Sequence, residues 1–110
     1  MITVQDFEKI DIRAGRIIEV EEFPKAKRPA YKLRIDFGPE LGVKVSSAQI
    51  TDRYFPKDLV DRTVLAVTNF PPRQVADFMS EVLVLGLYNE EKEVVLISPD
   101  AAVPLGAKLC

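Results

Sequence analysis

Histidine is absent from this 110-residue chain, and with it goes the side chain that most often moves protons near neutral pH and most often binds transition metals. A Cys/His zinc site and a Ser/His or Cys/His nucleophile pair are therefore excluded. The aspartates that remain as candidates, Asp11, Asp36, Asp52, Asp58, Asp61, Asp77 and Asp100, stand singly. Asp favours turns and caps because its carboxylate bonds local backbone groups. The expectation is a protein with no catalytic residues, no metal and no cofactor. Cysteine is nearly as scarce: Cys110 stands alone, so no intrachain disulfide forms and the redox compartment is left open. No apolar run approaches the ~20 residues of a membrane-spanning helix. The first residues mix apolar side chains with Asp6, Glu8 and Lys9, which argues against a leader peptide. No membrane insertion is expected, and a cytoplasmic location is the default.

What is present is the material of one modest core, expected to form one domain over residues 1–110. Thr3 and Asp6 have the spacing of a helix start, and a short helix is expected from Thr3 to about Lys9. Along Asp11–Glu22, Ile12, Ala14, Ile18 and Val20 alternate with polar residues, which predicts a long strand bent at Gly15. Tyr31, Leu33, Ile35 and Phe37 alternate with Lys32, Arg34 and Asp36 without a break, the period of a strand with one buried face. After a turn from Gly38 to Gly42, Val43, Val45 and Ser47 continue the alternation, predicting a hairpin with Ser47 inward and Lys32, Arg34, Lys44 and Ser46 on one outer face.

Ile50–Val60 breaks the pattern around Pro56, as a short helix plugging a barrel end would. Arg62–Asn69, Glu81–Tyr88 and Val94–Ser98 supply the remaining strands. Five or six strands with one helical insert suit a mainly all-β fold. The expected architecture is a five-stranded OB-fold Greek-key barrel with short helices and extra N- and C-terminal elements. Pro99–Cys110 is expected to lie as an ordered tail over the surface or across a partner subunit.

Two constellations carry the functional reading. Lys25, Lys27, Arg28, Lys32 and Arg34 fall between Phe23 and Ile35 with no acid among them, although the whole chain has a formal charge of -2. Because screening limits interactions between exposed charges to roughly 8 Å at physiological salt, such a segment can neutralise phosphates locally; it serves equally as part of a solvated surface. Asn69-Phe70-Pro71-Pro72-Arg73-Gln74 forms the second, a loop whose prolines stiffen it and whose Asn69, Arg73 and Gln74 can meet base edges, phosphates or a peptide backbone. A rigid corner with polar groups in water accounts for it as well. Ser46, Gln49, Ser80 and Glu81 add hydrogen-bonding groups near strand ends, and Tyr31 and Tyr54 offer flat faces to bases, although Tyr31 shares the buried alternation of Leu33 and is better read as core.

Five segments then occur in a familiar order: Asp11-Ile12-Arg13-Ala14-Gly15, Pro29-Ala30-Tyr31-Lys32-Leu33, Ser46-Ser47-Ala48-Gln49-Ile50-Thr51, Asn69-Phe70-Pro71-Pro72-Arg73 and Ser80-Glu81-Val82-Leu83-Val84-Leu85-Gly86. Together they resemble the CsaA family of secretion-chaperone-like proteins, within the tRNA-binding-domain superfamily that includes C-terminal extensions of some methionyl-tRNA synthetases. The resemblance implies an OB fold and a homodimer built through the N- and C-terminal elements. It implies two kinds of client: tRNA or other structured RNA, and unfolded preproteins, together with the export ATPase. A non-catalytic export chaperone with tRNA-binding capacity is the first expectation, and a structured-RNA-binding protein without a chaperone role is the alternative. The implied contact residues are those of the two constellations with Lys44, Ser46, Gln49, Ser80 and Glu81. The chain departs from the family pattern at Ser80-Glu81-Val82-Leu83, where Ser-x-x-Met is usual; losing the flexible thioether and gaining a carboxylate weakens the RNA case there.

Overall fold

The computed structural model describes Met1–Cys110. Thr3 caps the first helix, α1 (Val4–Glu8), by a reciprocal box in which the Asp6 amide donates to Thr3 Oγ1 (3.2 Å) and the Thr3 amide to Asp6 Oδ2 (2.9 Å). The strands β1 (Ile12–Glu22), β2 (Tyr31–Asp36), β3 (Val43–Ala48), β4 (Thr63–Val67) and β7 (Leu83–Val84) form one antiparallel sheet in the order β3-β2-β1-β4-β7. Between β4 and β7 lies a hairpin of β5 (Arg73–Val75) and β6 (Phe78–Ser80), and β8 (Gly86–Tyr88) pairs with β9 (Val94–Leu96) beyond it. The sheet curls into a nearly closed five-stranded barrel of the OB type, and α2 (Pro56–Leu59) lowers Leu59 into its core.

The uninterrupted alternation of β2 sets the interior: Tyr31, Leu33, Ile35 and Phe37 are all buried, with Ile17, Val64 and Leu59 packed against them. Burying such a side chain contributes roughly 1.5–3 kcal/mol each, so β2 is the strand on which the others assemble. Tyr31 satisfies its hydroxyl by donating to the Tyr54 carbonyl (2.7 Å), and Tyr54 Oη accepts from the Leu96 amide (3.0 Å). Both rings are therefore core and closed to stacking partners. Burial pushes the Tyr31 phenol above its ordinary pKa.

Three sequence expectations change in three dimensions. The bend in β1 sits at Ile18: the pairing passes from Ile17↔Ile35 to Glu19↔Arg34, so one extra residue is accommodated there. Ile17 is consequently buried and Ile18 exposed. Gly15 serves a different purpose, because a Cβ at that position would lie 2.6 Å from Ile35 Cγ2 and 2.7 Å from Phe37 Cε1.

In the β2–β3 hairpin, Leu33 faces Ser46 and Lys32 faces Ser47. Residues directly opposite share a face, so Ser46 points into the core and is fully buried while Ser47 joins Lys32 outside. Lys44 and Ser46 are thus not on the face of Lys32 and Arg34. The parity follows from the Phe37–Gly42 turn, where the Phe37 amide donates to the Gly42 carbonyl (3.0 Å), and a shift of one residue inverts every side chain of a strand.

The third change concerns Glu81–Tyr88, expected as one strand. It divides after Val84, the Leu85 amide bonding back to the Leu65 carbonyl (2.9 Å) before the chain leaves the barrel as β8. The tail runs along β1, with Ala14 N–H donating to the Ala107 carbonyl, Gly106 N–H to the Ala14 carbonyl and Leu109 N–H to the Ile12 carbonyl (2.9, 2.8 and 2.9 Å). Arg13 braces this tail by donating to the Gly106 carbonyl (3.1 Å) and to Asp11 (2.8 Å). Burial raises the Asp11 pKa, but hydrogen bonds from Arg13 and Thr68 outweigh it and hold the carboxyl below its ordinary value.

Replacing Gly15 by alanine should overpack the β1–β2 contact and destabilise the protein by about 1–3 kcal/mol. Urea unfolding checks this as a lower midpoint at unchanged slope.

Candidate functional site

The barrel is open along the outer edge of β3, and the way that edge is satisfied creates the site. Glu81 supplies both partners of Val45: its backbone amide donates to the Val45 carbonyl (2.9 Å), and its Oε1 accepts from the Val45 amide (3.0 Å). Ser80 Oγ accepts from the Ser47 amide (3.0 Å) and donates to the Val82 carbonyl (3.3 Å). The seam is thus closed by side chains and one backbone bond in place of a strand ladder. The β5–β6 hairpin pairs with no strand of the barrel, is bonded to β3 through the Ser80 side chain, and projects beside the barrel.

Arg73 and Gln74, expected in a loop, begin β5. The turn of this hairpin, Ala76-Asp77, carries no Gly or Asn-Gly signal, yet Ala76 has φ +52°. A positive φ is uncommon for alanine, which is why turn chemistry alone does not disclose the element.

Between the hairpin, the seam and the Lys25–Arg28 loop lies a cleft of about 680 Å³. It gathers Lys25, Lys27, Arg28, Gln49, Arg73, Gln74, Ser80 and Glu81 from the expected set. Lys27, Arg28 and Arg73 are exposed and make no ion pair, while Glu81 is the one acid on the lining. Lys25 reaches across the rim to Asp77 of the hairpin turn (2.9 Å). The hydrogen bond between them holds the Asp77 carboxyl below its ordinary pKa and raises that of Lys25. Below this pair, Phe23 and Phe78 meet edge to face at 5.6 Å, and Lys32 Nζ lies 4.7 Å and 5.2 Å from their ring centres. Lys32 is therefore engaged in joining the loop to the hairpin.

The other expected residues lie elsewhere. Arg34 pairs with Glu19 (3.5 Å) on the outer barrel face. Lys44 and Ser46 take the inward parity of β3, and the buried Ser46 hydroxyl donates to the Ser47 carbonyl (3.2 Å). Asn69 is structural: its Oδ1 accepts from the Asp11 amide (2.9 Å) and its Nδ2 donates to the Lys9 carbonyl (2.8 Å), tying β4 to the end of α1.

The apolar part of the lining is not among the residues expected from the sequence. Phe70 and Leu83 both line the cleft at 48% exposure, beside Pro71, Val75 and the buried Val82. The lining thus combines unpaired cations with exposed apolar surface, an arrangement able to hold a chain that carries both negative charge and flat or apolar groups. No group of three or more Cys, Asp or Glu side chains is placed to hold a metal.

Glu81→Gln keeps an oxygen for the Val45 amide and should leave stability nearly unchanged, whereas Glu81→Ala should cost about 1–3 kcal/mol. Amide exchange at Val45, faster in the alanine variant only, checks the assignment. The Asp77 carboxyl should titrate below the ordinary aspartate range by NMR, so its pairing with Lys25 persists at neutral pH and disappears as pH falls through that lowered value. In Lys25→Ala the midpoint should rise toward 3.8.

Comparison with known proteins bears on this geometry. Residues 12–108 match the family profile described as "Putative tRNA binding domain". The chain is 35% identical, over 98% of its length, to the methionine-tRNA ligase of Pyrococcus furiosus, and spans 14% of the length of that enzyme. Among solved structures, the CsaA chaperone protein of Picrophilus torridus is 52% identical with a TM-score of 0.94, covering 100% of both chains. The chaperone CsaA of Bacillus anthracis is 51% identical with a TM-score of 0.94, covering 100% of this chain and 99% of the other.

Proposed function

Since this chain belongs to the tRNA-binding-domain family, and within it to the CsaA group, we propose that it is a non-catalytic binding protein whose cleft beside β3 holds structured RNA, tRNA foremost. The observation that carries this reading is the charge of the cleft. Lys25, Lys27, Arg28 and Arg73 line it with a single acid, Glu81, and only Lys25 is paired, with Asp77 at the rim, on a protein of net charge -2. Three of those cations have no partner in the protein. Basic groups placed around a groove bind phosphates with little regard to sequence, releasing counterions as they do so.

A second reading, an export chaperone holding unfolded polypeptide, is favoured by the exposed Phe70 and Leu83 and by the outer edge of β5, which has no strand partner. An extended chain can pair with such an edge while its apolar side chains enter the cleft. The two readings part on salt: phosphate binding falls steeply as salt rises, whereas apolar capture does not.

The protein acts as a homodimer in this proposal. Helix α1 buries none of its residues, and Val4, Phe7 and Ile10 leave an apolar groove with Leu109 and Cys110. An apolar helix face in water is stabilised by a second copy. Light scattering should give twice the chain mass, and Val4→Asp/Phe7→Asp should give the monomer.

Fluorescence anisotropy with total tRNA over a salt series tests the cleft. Lys27→Ala/Arg28→Ala/Arg73→Ala should weaken binding strongly and flatten the dependence of log K on log salt by about 2–3, since each phosphate neutralised by the protein accounts for about 0.7–0.9 of the slope. Asp77→Asn should act oppositely, freeing Lys25 for one more phosphate and steepening the slope by about 0.7–0.9. Unchanged tRNA affinity in the triple variant, with an intact circular-dichroism spectrum, would sink the placement of the RNA site in this cleft, and failure of the wild type to bind tRNA would sink the RNA reading itself.

A further inference from the structure

Phe70 is the least expected side chain in the cleft. A phenylalanine gains by burial, yet this ring stands 48% exposed. It is not on a free loop. The residue before it, Asn69, is fastened by both side-chain atoms, to the Asp11 amide at 2.9 Å and to the Lys9 carbonyl at 2.8 Å. The two residues after it, Pro71 and Pro72, have fixed φ. The backbone on either side of an exposed aromatic ring is therefore held, so a partner that lands on the ring meets little ordering cost.

The surroundings select the partner. Pro71, Val82 and Leu83 line the cleft together with Phe70; Lys27, Arg28 and Arg73 also line it and have no acidic partner. A ligand matching both must carry a flat apolar face and a negative charge within one small unit. At about 680 Å³ the cleft has the size of a pocket for one small ligand. Bases inside a duplex are stacked and offer no free face, whereas an unpaired base does. We propose that the cleft seats an unpaired nucleotide of the bound RNA, its base stacked on Phe70 and its phosphates on Lys27, Arg28 and Arg73. This rests on the RNA reading above and narrows it: the folded RNA is engaged where a single-stranded loop or end is accessible.

Tyr31, better read as core from its alternation, and Tyr54 are both buried with their hydroxyls bonded and offer no face to a base. Phe70 takes that part, three residues beyond the end of β4. Asn69 and Lys25 are positioning residues here, the first through the backbone of Phe70 and the second through the hairpin.

The test uses the full chain and three probes: a short single-stranded RNA, the same RNA with one abasic nucleotide, and a blunt duplex of equal length. Wild type should prefer the single strand to the duplex, and the abasic site should lower affinity roughly 5- to 150-fold, the range of one base-aromatic stack. Phe70→Leu, which keeps apolar bulk and loses the flat face, should weaken the intact strand by a similar factor. The same variant should be indifferent to the abasic change. Equal response of wild type and Phe70→Leu to the abasic site, with tRNA still bound through the cations, overturns the base seat and leaves the RNA reading standing. Failure of wild type to bind tRNA or any probe overturns both. Binding confined to an unfolded polypeptide, and abolished in Phe70→Leu, makes the ring an anchor for apolar side chains and overturns the nucleotide assignment.

Discussion

The unpaired outer edge of β3 is the constraint around which the rest of the molecule is arranged. A strand edge left in a half-closed barrel carries amide and carbonyl groups that need partners. Here Val45 and Ser47 find them in Glu81 and Ser80. Because two residues close the seam where a long ladder would otherwise run, the hairpin before them is not absorbed into the barrel. It stands off as a second wall, tied to the Lys25–Arg28 loop through the Lys25–Asp77 pair and the Phe23, Phe78 and Lys32 cluster. The cleft is the space that results.

That geometry explains how an acidic protein presents a basic site. Glu90, Glu91 and Glu93 sit in the β8–β9 turn, and Glu19 pairs with Arg34 on the outer barrel face. None of them lines the cleft. With a screening length of about 8 Å at physiological salt, a ligand entering between loop and hairpin responds to Lys27, Arg28 and Arg73 more than to the net charge. The exposed ion pairs add little to stability, since such pairs contribute on the order of 0–1 kcal/mol; the Lys25–Asp77 pair matters for which cations remain free.

The two ends of the chain are used differently. The C-terminal segment completes the backbone bonding of β1 at Ile12 and Ala14, and Gly106, at φ +86°, is required there because a Cβ would meet the Phe37 carbonyl oxygen at 2.5 Å. Helix α1, by contrast, is capped at its start, joined to the barrel at Lys9 through Asn69, and left with its apolar face outward. A single stretch of surface thus combines an element secured by hydrogen bonds with one whose hydrophobic side has no internal partner.

Local pattern determined much of this protein. The capped start of α1, the alternation of β2, the turn between Gly38 and Gly42 and the basic run from Lys25 to Arg34 are all properties of neighbouring residues, and each is legible without the fold. The five-stranded barrel followed from the number and spacing of such elements, and the absence of histidine narrowed the chemistry from the start. Pairing between distant strands decided the rest. Whether Ser46 or Ser47 faces the core depends on the register opposite Leu33; whether Ile17 or Ile18 does depends on a bulge against Ile35. The division of the expected contact residues into a cleft, an outer face and an interior depends on Glu81 reaching Val45 across the seam. A period of two shows that a strand has two faces, but which face is buried, and which side chains from remote segments meet there, is fixed only when the strands pair.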